Sequence, residues 1–188
     1  MRRSNLWETG AANRFPDKCE ADPEGTRALN IGASRLLAAA AASRSIILLY
    51  ISTDYVFPGT KGDAPYEVTH TPKPPNFYGQ TKLDGERAVL DEYKDAGKKG
   101  WGVVLRVPLL YGEAESPGES AVNVLMDALW KAQQNDTTVN MDHWALRYPT
   151  NTEDVGRVCQ GTWPFQFPSL TPPAKQNLLF VISALVFK

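Results

Sequence analysis

Ser45-Ile46-Ile47-Leu48-Leu49-Tyr50-Ile51 is a continuous apolar run of strand length, followed at once by Ser52-Thr53-Asp54. An unbroken run of this kind suits a parallel strand covered on both faces, because neither side meets water. The polar triplet then stands at the strand's carboxyl end. In open α/β sheets, ligands gather at that end.

Working outward, Gly102 to Val107 repeats the pattern of a buried strand and is closed by Pro108. Between the two strands, residues 58–76 are rich in Pro and Gly, and Pro72, Pro74 and Pro75 stop any helix there. Asn76 is a candidate N-cap for a helix from about Phe77 to Tyr93, with Leu83, Ala88, Val89 and Leu90 for apolar contact. Upstream, Glu24 to Ser43 is an Ala- and Leu-rich helix carrying Leu29, Ile31, Leu36 and Leu37. Downstream, Glu119 to Gln134 places Val122, Leu125, Met126, Leu129 and Trp130 at helical spacing, and Asn151 to Cys159 reads as a short helix.

Residues 1–23 read as polar and irregular, broken by Pro16 and Pro23. Beyond Gly161, Trp163-Pro164-Phe165-Gln166-Phe167-Pro168 and Thr171-Pro172-Pro173 argue against helix or central strand. Residues 161–188 are therefore expected to form a separate, irregular apolar tail. Helix–strand–helix–strand–helix gives an α/β architecture with a parallel sheet. Two strands alone make a poor sheet, so the expected fold is an incomplete doubly wound one.

The sharpest motif is Tyr78-Gly79-Gln80-Thr81-Lys82. Positions four apart share a helix face, so phenol and ammonium can approach one ligand. A neighbouring ammonium favours phenolate and is expected to lower the phenol's pKa, as a general acid for a carbonyl needs. Ser52 and Thr53 supply hydroxyls able to bond such a carbonyl. The plainer alternative is a packed aromatic near a helix start, with a surface lysine paired to Glu86 and a hydroxyl capping the strand end. On the phosphate side, a dinucleotide site requires a strand, a glycine-rich turn and a helix N-terminus. Gly100-Trp101-Gly102 precedes its strand, and Leu105 occupies the third glycine position. It reads as a loop.

These residues resemble the extended short-chain dehydrogenases/reductases, in particular the dTDP-4-dehydrorhamnose reductase-like branch. Ser52-Thr53-Asp54-Tyr55-Val56-Phe57 and the run from Asn76 to Glu86 carry the resemblance. It implies catalytic positions at Thr53, Tyr78 and Lys82, vestigial in a non-catalytic relative. Within the branch, Leu105 to Glu113, Glu119-Ser120-Ala121-Val122, Met141-Asp142-His143-Trp144 and Arg147-Tyr148-Pro149-Thr150 are similar to the regulatory beta subunits of methionine adenosyltransferase.

That likeness covers about residues 11–160 and implies a partial NAD(P)-binding, Rossmann-type (RmlD-like) domain over residues 1–160. It implies NADP as cofactor, lined by Arg14, Tyr78, Lys82 and Leu110. It also implies the methionine adenosyltransferase catalytic subunit as partner, in a hetero-oligomer that tunes S-adenosylmethionine synthesis. The reductase-like alternative is an NADPH-dependent oxidoreductase acting on a nucleotide sugar. Against the family pattern, the Gly-x-x-Gly-x-x-Gly segment and roughly the first three strands of a doubly wound sheet are missing. The tail is unlike the family's C-terminal half.

Composition sets the outer bounds. With 43% hydrophobic and 22% charged residues and a formal charge of −1, no basic field favours nucleic acid or an anionic membrane. Leu178 to Phe187 is too short for a membrane span, which requires about 20 residues, and no apolar region follows Met1-Arg2-Arg3 to make a signal. Cys19 and Cys159 show no metal-ligand spacing, and His70 and His143 stand alone, so no metal site is expected. Unpaired thiols favour a reducing, cytoplasmic setting.

Overall fold

The computed structural model describes residues 6–120, 122–140, 147–166 and 178–181; the side chains of 161–166 and 178–181 are left aside. Strand β1 (Leu6–Thr9) leads to the short helices α1 (Pro16–Ala21) and α2 (Pro23–Arg27). A π-helical segment, Ala28–Ala33, joins α2 to α3 (Ser34–Ser43). Then come β2 (Ile47–Thr53), α4 (Phe77–Asp95), β3 (Gly102–Val107) and the short β4 (Leu110–Tyr111). Helix α5 (Asn123–Asn135), β5 (Thr150–Asn151), α6 (Thr152–Gln166) and β6 (Leu178–Val181) complete the order.

Among the described residues the main sheet runs β1-β2-β3-β6, with every pairing parallel, and β4 and β5 form a small second sheet. Alternate residues of β2 divide between two cores, as the two-residue period of a strand demands. Leu48 and Tyr50 pack with Val104 of β3, Ala38, Ala41 and Ala42 of α3, and Val89 and Tyr93 of α4. Ile47 and Leu49 pack with Val103, Leu105 and Val107 on the opposite face, beneath Cys159 of α6. Covering on both faces explains the unbroken apolar runs of β2 and β3.

Two expectations are corrected. The N-terminal stretch is not irregular: β1 pairs Leu6 with Ile47 and Thr9 with Tyr50. Its apolar signal is short because it is an edge strand, with Trp7 packing on one core and Leu6 on the other. The C-terminal stretch is not wholly irregular either, since α6 continues through Pro164 to Gln166 and β6 pairs with β3. Backbone pairing to a waiting edge makes a strand where local sequence gives no alternation. The apolar stripe of α5 is not covered by the described residues: Met126 is 68% and Trp130 63% exposed.

Candidate functional site

At the carboxyl end of β2, Ser52 and Thr53 part company. Thr53 Oγ1 accepts from the Tyr55 N–H and donates to Asp54 Oδ1, both at 3.3 Å, as the chain enters a 3-10 turn over Asp54–Val56. Ser52 turns toward α4, where Oγ donates to Glu86 Oε1 at 2.5 Å. Arg106, the register partner of Ser52 on β3, donates from Nε to Glu86 Oε1 at 2.9 Å and from Nη2 to Oε2 at 2.6 Å. All three side chains are buried. Arg106 Nη1 has no hydrogen-bond partner among the described residues, and Cζ lies 5.0 Å from the Phe57 ring centroid. Ser52 is thus an internal tie, which removes it from the two hydroxyls expected to face a carbonyl.

Helix α4 begins where Asn76 Oδ1 accepts the Gly79 N–H at 2.8 Å, the expected N-cap. Its first turn lies so close to the 3-10 turn that a Cβ at Gly79 would stand 2.2 Å from the Tyr55 carbonyl oxygen. This approach sets Tyr78 edge-on to Tyr55, with ring centroids 5.8 Å apart. Burial pushes the Tyr78 phenol up to about 12; a hydrogen bond with Thr53 works against the shift, and Asp54 adds to it. The expected lowering is therefore overturned. Desolvation outweighs the favourable contact, and Lys82 is directed elsewhere.

Lys82 departs from the plainer reading of it. It is 3% exposed, donates from Nζ to the Ile51 carbonyl at 2.8 Å, and lies 4.1 Å from the Tyr50 ring centroid. Burial lowers its ammonium to about 8, opposed by Glu86. It is not a surface lysine, and Glu86 is occupied by Arg106 and Ser52.

Thr53 and Tyr78 are thus brought together, with Lys82 reaching the backbone two residues before Thr53. Arg14 is exposed on the loop beyond the carboxyl end of β1, with its guanidinium 5.0 Å from the Phe15 ring. Leu110 is half-buried just past the end of β3, against the core that holds Ile51. Both therefore lie at the carboxyl edge that Thr53 marks. Met141 to Trp144 lie outside the described residues.

Sequence reasoning missed a supporting network. Asn30, fully buried in the π-helical segment, accepts from the Asn13 N–H at 2.9 Å and donates to the Asn13 carbonyl at 3.2 Å and Thr81 Oγ1 at 3.0 Å. It ties the loop after β1 to the residue beside Lys82. A polar residue amid an Ala- and Leu-rich helix was the available signal. The Glu86–Arg106 pair had one too: a lone charge inside the apolar run of β3 needs a buried partner.

The donor set of one phenol, one ammonium and one hydroxyl suits a ribose and a carbonyl-bearing ring. Among the described residues, no Gly-x-x-Gly-x-x-Gly turn joins a strand to a helix, so the fit is to the nicotinamide half of a dinucleotide. No group of three or more His, Cys, Asp or Glu among them could hold a metal ion. Both cysteines are buried.

A parallel α/β sheet with Tyr-x-x-x-Lys at its carboxyl edge defines a Rossmann-type protein. Residues 8–164 match the RmlD substrate binding domain, and the chain belongs to that family. Over 150 residues it is 48% identical to methionine adenosyltransferase 2 subunit beta of Rattus norvegicus, a match covering 80% of this chain and 42% of that protein. Over 89 residues it is 42% identical to dTDP-4-dehydrorhamnose reductase of Salmonella typhimurium, covering 47% and 29% respectively.

Among solved structures, a dTDP-4-dehydrorhamnose reductase from Clostridium acetobutylicum superposes with a TM-score of 0.72 at 26% identity, covering 95% of this chain and 55% of that one. A dTDP-4-dehydrorhamnose reductase from Bacillus anthracis in complex with NADP gives a TM-score of 0.67 at 22% identity, covering 95% and 56%. The second likeness shows the fold alone. The chain spans less than half the length of the adenosyltransferase subunit it matches.

Proposed function

We propose that the chain acts as a non-catalytic regulatory subunit of methionine adenosyltransferase in S-adenosylmethionine biosynthesis, partnered by the catalytic subunit. The observation that carries this reading is the 48% identity to the beta subunit across 80% of the chain. In it, residues 1–160 are the working domain, residues 161–188 add the end of α6 and the strand β6 to it, and the setting is cytoplasmic. No helix among the described residues is long and apolar enough to cross a membrane. The test is sedimentation of the purified chain with the catalytic subunit. Co-sedimentation at about 10 µM, the range of a micromolar complex, is expected; independent sedimentation at that concentration refutes it.

The same reading gives Arg14, Tyr78, Lys82 and Leu110 the task of holding NADP. Lys82 would bond the nicotinamide ribose, and Leu110 would pack against the ring. When bound, the cofactor supplies hydride chemistry. The nearness of the Thr53 hydroxyl to the Tyr78 phenol favours a second reading, a reductase in which Tyr78 gives a proton to a substrate carbonyl. That reading requires NADPH oxidation with a dTDP-4-dehydro sugar, abolished in Tyr78→Phe. Absence of turnover in the parent chain, with the partner complex formed, leaves the regulatory reading alone.

A further inference from the structure

Lys82 and Glu86 sit one turn apart on α4, the spacing at which lysine and glutamate ordinarily pair. Both are buried, where an ion pair is strongest, and yet Lys82 Nζ bonds the Ile51 carbonyl instead. The reason comes from another strand. Arg106 approaches from β3 and takes both oxygens of Glu86 through Nε and Nη2, while Ser52 takes a further lone pair of Oε1. A guanidinium fork matches a carboxylate at two points, which a single ammonium cannot match.

We propose that Arg106, by occupying both oxygens of Glu86, keeps that carboxylate off Lys82 and leaves the ammonium held at the carboxyl end of β2, where a ligand oxygen can meet it. Arg106 is in this sense a positioning residue: it is buried beneath the site and acts through Glu86. The groups around Lys82 bear this arrangement out. Glu86 and Tyr78 lie on its own helix, Tyr50 presents a ring face from β2, and the β3 charge is Arg106 itself. Lys82 thus keeps a neutral carbonyl and an aromatic face as its immediate partners. Burial lowers the Lys82 ammonium, and Glu86, held by Arg106, offsets that only in part. The consequence for a ligand rests on the site reading above, whereas the charge arrangement can be tested with no ligand present.

The experiment is a ¹⁵N/¹³C NMR titration of the Lys82 side chain in the full chain, assigned by its loss in Lys82→Met. In Arg106→Met, Glu86 is released to Lys82, and the midpoint is expected to rise from about 8 to its ordinary 10.5 or above. In Arg106→Met combined with Glu86→Leu, neither charge remains, and the midpoint is expected to stay below 10.5. A folded Arg106→Met whose midpoint remains near 8 overturns the proposal. So does a double variant that titrates as high as the single one, because Glu86 would then not be the cause. Should Arg106→Met not fold, Arg106→Lys decides, since its ammonium holds Glu86 at one point. A rise of at least about half a pKa unit supports the proposal and an unchanged midpoint refutes it.

Discussion

Replacing Gly85 by alanine tests how closely α4 is seated on the sheet. A Cβ there would stand 2.4 Å from Tyr50 Oη and 2.6 Å from the Asn30 carbonyl oxygen. Neither neighbour can yield easily. Tyr50 is 1% exposed between α3 and α4, and the Asn30 carbonyl also accepts from Ser34 Oγ at 3.0 Å. Restoring ordinary contact requires a shift of about 1 Å at two points at once, one of them backbone, so the cost falls in the upper part of the overpacking range, about 2–3 kcal/mol. Alanine's helix preference over glycine returns about 1 kcal/mol, so the net loss is about 1–2 kcal/mol.

For a chain of this size that is a fall of about 5 °C in Tm, read by circular dichroism and urea denaturation. Tyr50→Phe removes the nearer clash but leaves the carbonyl. The pair should therefore show a favourable coupling in a double-mutant cycle, recovering part of the loss. Gly156→Ala on α6 is the control, since nothing lies within 4 Å of its Cβ, and it should gain about 0.5–1 kcal/mol. A Gly85→Ala protein as stable as the parent would refute the close seating.

The buried lysine gives a pH signature. Its folded pKa of about 8 lies below the ordinary 10.5, so the unfolded chain binds more protons between those values, and stability rises with pH through that window. Urea midpoints measured from pH 7 to 9.5 should therefore climb in the parent and climb less in Lys82→Met. Above about pH 10 the sign reverses, because burial raises Tyr50, Tyr78 and Tyr93 and the unfolded chain loses those protons first. Asn76→Ala deletes the cap of α4 and should cost about 1 kcal/mol by the same denaturation assay.

The parts legible in the sequence were those whose residues answer to one dominant force. Strands β2 and β3 are apolar on both faces because both are covered, and α4 announces itself through Asn76 and the three prolines before it. Strand β1 and strand β6 were not legible, since each is made by pairing to an edge that only the folded sheet provides. The same division holds at the site. The i, i+4 spacing of Tyr78 and Lys82 was visible, but where their side chains end was decided at longer range, by the Tyr55 ring for Tyr78 and by the carbonyl of Ile51 for Lys82. The phenol's pKa was misjudged because burial depends on what packs around the ring, which no local pattern reports.

The pairing of β2 with β3 has a consequence for how the chain comes off the ribosome. Leu48 meets Gly102 and Thr53 meets Val107, partners separated by the whole of α4 and the loop before it. Parallel pairings of such high contact order form late and slowly. Until β3 emerges, the apolar strand beginning at Ile47 has a free side, and during synthesis that interval is the one in which a chaperone or a misdirected neighbour can claim it.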